Sequence, residues 1–81
     1  MSVKNKNMTT PTEQKFMIDC IVTDISLYLM RDYGMSEEKA LATIYNSNYY
    51  LRLSDTSTGF FVESSAYNYS YLRKELEGKE L

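Results

Sequence analysis

The stretch from Thr10 to Gly34 constrains this chain more than any other. In "TPTE", Thr10 is placed to cap a first helical turn, Pro11 suits the first helical position, and Glu13 sits where a capping-box acid reaches back. Beyond it Ile18, Val22, Ile25, Leu29 and Tyr33 recur at steps of three and four, with Met17, Ile21 and Tyr28 widening the stripe. Asp19, Thr23, Ser26 and Arg31 fall on other faces. Gly34 supplies a C-cap, and Met35 is positioned to fold back on Met30. The spacing predicts one helix from Pro11 to Tyr33, about 34 Å long at about 1.5 Å per residue. In an 81-residue chain, most of the remaining residues have to cover its apolar face.

The remaining segments read as shorter helices. Ser36 caps a second one, with Glu37 and Glu38 at the positive end of its dipole and Ala40, Leu41, Ile44 and Tyr45 as its apolar face. Ser47 caps a short third helix carrying Tyr49, Tyr50 and Leu53, and "SDTSTG" is a turn. "FFVE", residues 60 to 63, is apolar and favours β-structure, yet it has no partner strand. The expectation there is an extended segment whose Phe60 or Phe61 plugs the core. Ser64 or Ser65 then caps a last helix over about residues 66 to 77, with Tyr69, Leu72 and Leu76 on one face and Gly78 closing it. The fold expected is all-α, a compact bundle of three to four helices with one long N-terminal helix. Residues 10 to 81 make a single helical domain, and residues 1 to 9 a flexible N-terminal tail.

Composition removes several functional classes. Cys20 is the one cysteine and there is no histidine, which rules out an internal disulfide and argues against a zinc site. No cation neighbours Cys20 to activate it, so it reads as a small buried or half-buried apolar side chain. Glu37 and Glu38 are adjacent on a helix and point apart, and Gly59 lacks the companions of a phosphate-cradling loop. No catalytic set, metal site or cofactor site is expected. The net charge is −2, with no basic stripe. Arg52 is the single base in "NYYLRLSD", so a helix-turn-helix DNA reader ranks only third among the readings, ahead of an enzyme, and no nucleic-acid partner is expected. No apolar run suits a leader or a membrane span, and an unpaired cysteine fits a reducing compartment. The expected location is therefore the cytoplasm, without membrane contact.

Eight tyrosines are many for a chain of this length. Tyr28, Tyr33, Tyr45 and Tyr69 fall on or beside apolar faces and are assigned to the core. Tyr50, Tyr67 and Tyr71 lie further from the stripes, where an exposed aromatic patch marks a partner site. The candidate partner-binding residues are Tyr49, Tyr50, Phe60, Phe61, Tyr67 and Tyr71. They suggest a protein-interaction module binding another chain or a second copy as a homodimer. The alternative is a small-ligand-binding or sensor domain with its pocket between the long helix and "GFFVE".

A further pattern spans residues 27 to 76. Gly34 precedes Ser36, Glu38 and Ala40; Tyr45 and Ser47 precede Thr58 and Gly59; then come Glu63, Ser64, Ala66 and Tyr67, and Tyr71, Leu72 and Glu75 close the series. In this order the chain resembles a family of small uncharacterised bacterial proteins. Some families of this general kind look like companions of toxin-like genes. The resemblance implies no catalytic residue.

Overall fold

The computed structural model describes residues 9 to 78. Its first element, α1, runs from Pro11 to Tyr33, and both halves of the capping box are made. The Glu13 N–H donates to the Thr10 hydroxyl at 3.1 Å, and the Thr10 N–H donates to Glu13 Oε1 at 2.8 Å. Two of the orphan donors at the helix start are thus satisfied. At the other end Gly34 adopts φ 69°, left-handed backbone that glycine enters without a Cβ penalty, and its N–H reaches the Met30 carbonyl at 3.1 Å.

Three more helices come after it, each opened by a serine whose hydroxyl accepts a first-turn N–H. Ser36 caps α2 (Glu37–Tyr45), Ser47 caps α3 (Asn48–Ser54) and Ser64 caps α4 (Ser65–Leu76). Among the described residues there are four α-helices, two 3₁₀ turns and no strand. The fold is an all-α bundle with a long N-terminal helix. The tail expected over residues 1 to 9 lies, apart from Thr9, outside the described residues, as do residues 79 to 81.

One core serves all the elements. Ile18, Ile21, Val22, Ile25 and Leu29 of α1 meet Ala40 and Ile44 of α2, Tyr49 and Leu53 of α3, and Tyr69 and Leu72 of α4. Phe61 enters the same cluster from the second 3₁₀ turn. Two polar ties pin α4 along α1. The Ser65 hydroxyl donates to Asp24 Oδ2 at 2.6 Å, and the Tyr69 hydroxyl donates to Asp32 Oδ2 at 2.8 Å.

Several expectations need correction. "FFV" is a 3₁₀ turn, Phe60–Val62, and not an extended segment. A lone strand would leave its backbone groups unpaired, whereas the turn bonds Val62 N–H to the Gly59 carbonyl and Glu63 N–H to the Phe60 carbonyl. Phe61 is nonetheless the core plug. Tyr33 and Tyr45, assigned to the core, are 42% and 49% exposed. Each is the last residue of its helix, at the rim of the core, where Tyr45 packs against Tyr50 and leaves its other face to solvent. Cys20 is exposed, because it lies on the face of α1 turned away from the bundle. Ser26 is buried, with its hydroxyl satisfied by the Thr23 carbonyl one turn back at 2.7 Å.

Candidate functional site

The six candidate rings divide by position. Tyr49 is 0% exposed and Phe61 is 9% exposed, so neither offers surface to a partner. Both belong to the core, which corrects their place in the patch. Tyr49 sits at the second position of α3, beneath the second 3₁₀ turn, and its ring meets Phe60 edge-on at 6.0 Å between centroids. Tyr50, the next residue, turns the other way and packs edge-on against Tyr45 at 5.0 Å.

Phe60, Tyr67 and Tyr71 come together at the surface. Phe60 lies 4.9 Å from Tyr71 and 6.1 Å from Tyr67, and the two tyrosine rings are 5.3 Å apart. Tyr67 and Tyr71 share one side of α4 because they are four residues apart. Their hydroxyls approach to 3.4 Å, and the contact with Tyr71 pushes the Tyr67 hydroxyl's pKa up. Phe60 and Tyr71 are half-buried and Tyr67 is exposed, so the trio offers ring edges and hydroxyls to whatever approaches. Lys74 places its ammonium 5.3 Å from the Tyr71 centroid, adding a cation to the rim.

What holds Phe60 in place was not legible as a site residue. Asn68 of α4 is a fully buried polar side chain. Its amide Nδ2 donates to the Phe60 carbonyl at 3.0 Å and to the Ser64 carbonyl at 2.9 Å, while its Oδ1 accepts the Tyr49 hydroxyl. One amide thus joins α3, the 3₁₀ turn and the start of α4. The signal in the sequence was its spacing, since Asn68 lies four residues before the buried Leu72. Burial pushes the Tyr49 hydroxyl's pKa up, so it remains a donor at ordinary pH.

Glu75 was likewise missed. Its two carboxylate oxygens accept the N–H groups of Asn48 and Tyr49, each at 2.8 Å. With the Ser47 hydroxyl accepting from Tyr50 at 3.0 Å, the first three amides of α3 are all satisfied. A side chain from α4 therefore caps α3 and fixes the ring-bearing helices against each other.

Among the described residues, no group of three or more histidine, cysteine or acidic side chains is placed to hold a metal, and no helix is long and apolar enough to cross a membrane. Among the described residues, the molecule is a small helical bundle with a partly uncovered cluster of three rings. No family model, curated protein or solved structure matches the chain, in keeping with a resemblance to a family without a recognised domain.

Proposed function

We propose that this is a protein-interaction module, of a small bacterial family, that binds a partner chain through Phe60, Tyr67 and Tyr71. The observation that carries the reading is the convergence of three rings on a surface where Tyr67 remains 44% exposed. Aromatic rings with polar tips bury large area at low conformational cost, which is why they concentrate at the centres of interfaces. The buried Asn68 holds Phe60 from behind, so the surface is preorganised before a partner arrives. Val62, in the same turn, is also 60% exposed.

The reading is one of contact and not of catalysis, in a reducing, cytoplasmic compartment where the exposed Cys20 stays a thiol. A small ligand between α1 and the Phe60–Val62 turn has less support, because Phe61 fills that space. The test compares wild type with Tyr67→Ala/Tyr71→Ala as baits, with subsequent reconstitution from two purified chains. A partner bound by wild type and lost by the double variant supports the proposal. Equal binding by both overturns it.

A further inference from the structure

The long helix has a second apolar seam that the bundle leaves uncovered. Phe16, Cys20, Thr23 and Leu27 recur at steps of four, three and four, the spacing of a helix-pairing seam. At about 100° per residue they lie opposite Ile18, Ile25 and Leu29, which face the core. Phe16 is 67% exposed, Leu27 is 55% exposed and Cys20 is exposed, and a shallow depression runs past Phe16, Cys20 and Thr23, flanked by Asp19 and Asp24.

We infer that this seam pairs with the same seam of a second copy, with the two α1 helices antiparallel. An antiparallel two-fold sets Phe16 against the partner's Leu27 and Cys20 against the partner's Thr23, and the symmetry repeats both layers. Along one flank the same register brings Arg31 beside the partner's Glu13, again twice. Both groups are at the surface and already hold a neighbour: Arg31, its side chain 65% exposed, bonds Asp32, and Glu13 accepts the Thr10 N–H with one carboxylate oxygen, leaving the other for the partner's guanidinium. Parallel pairing would set Asp19 against the partner's Asp24 on both flanks, two like-charge contacts, whereas the antiparallel register brings Asp24 near the partner's Asp24 once. Antiparallel helices also align their dipoles favourably. The seam is on a different face from the three-ring surface, and the inference stands without that reading.

Sedimentation equilibrium of the full chain tests this. The expected result is a dimer of the 9.5 kDa chain at micromolar concentration. Leu27→Lys raises its dissociation constant by about tenfold or more, since it places a charge in the seam twice per dimer. Tyr67→Ala/Tyr71→Ala leaves the dimer intact, so failure here and failure of the proposed partner surface are separately visible. Orientation is read by mild oxidation of a mixture of wild-type chains and tagged Cys20→Ser/Thr23→Cys chains. Antiparallel pairing yields the mixed disulfide faster than the wild-type homodimer disulfide, and parallel pairing reverses the order. A monomer at high micromolar concentration overturns the inference, as does a dimer indifferent to Leu27→Lys or a reversed order of crosslinking.

Discussion

Asn68 shows how much one buried polar side chain can decide. It meets the Tyr49 hydroxyl and two backbone carbonyls, with its own side chain fully buried. Replacing it by an apolar residue of similar size strands the buried Tyr49 hydroxyl, while the Phe60 and Ser64 carbonyls keep the backbone N–H groups of Glu63 and of residue 68. Asn68→Leu is expected to cost about 2–3 kcal/mol, read as a lowered urea midpoint, and Tyr49→Phe about 1 kcal/mol. An unchanged midpoint for Asn68→Leu would show that the network contributes nothing net. Asp32 carries the second residue-scale prediction. The Arg31 guanidinium, and after it the Tyr69 hydroxyl, hold its carboxyl down from 3.8 to about 2. The folded state thus favours the carboxylate. That stabilisation is present above about pH 4 and lost as pH falls through about 2. Asp32→Asn should flatten the acid limb of a stability-against-pH curve, and parallel curves for variant and wild type would refute the link.

At the scale of elements, α3 is the instructive case. Seven residues are too few for a helix to hold itself in water, so α3 depends on its ends and its buried face. Its local cap, Ser47, was legible from residue type and position. Its distant cap, Glu75, was not, because the two meet across 27 positions of sequence through the packing of α4 on α3. Glu75→Ala should destabilise by about 1–2 kcal/mol and quicken amide exchange at Asn48 and Tyr49, leaving the middle of α1 protected. Uniform loss of protection across all four helices would mean that Glu75 has no local role. The Phe60–Val62 turn makes the same point in reverse. Its β-favouring residues suggested an extended segment, but without a second strand the backbone had to bond within itself.

Across the whole molecule, one set of rings divides into two jobs. Phe61 and Tyr49 close the core that α1 starts, Phe60 and Tyr71 pack half-buried against it, and Tyr67 stands outside it. The division has separate energetic signatures. Phe61→Ala opens a cavity in the shared core and should cost about 3–4 kcal/mol. Tyr67→Ala should cost about 1 kcal/mol or less, in keeping with an exposed ring that loses only its stacking. A large loss for Tyr67→Ala, measured by thermal or urea unfolding, would make it structural and weaken the partner surface. The long helix has the same dual character. Its inner face organises the bundle, and its outer face, with Phe16 and Leu27, is left over when every other element has been used.

By itself the sequence determined what is local. Thr10, Pro11, Glu13 and Gly34 bound α1, Ser36 and Ser47 start the next two helices, and apolar steps of three and four assign most of the core, because caps and periodicity act within a turn or two of the residues that encode them. It misassigned Cys20, Ser26, Tyr33 and Tyr45, and it left Tyr49 and Phe61 in a surface patch. Those residues depend on which face another element happens to cover. Only the tertiary structure decided that Asn68 and Glu75 hold the ring-bearing helices and that three rings share one surface. Such contacts join positions far apart in the chain, and no local pattern records a partner that arrives from elsewhere in the fold.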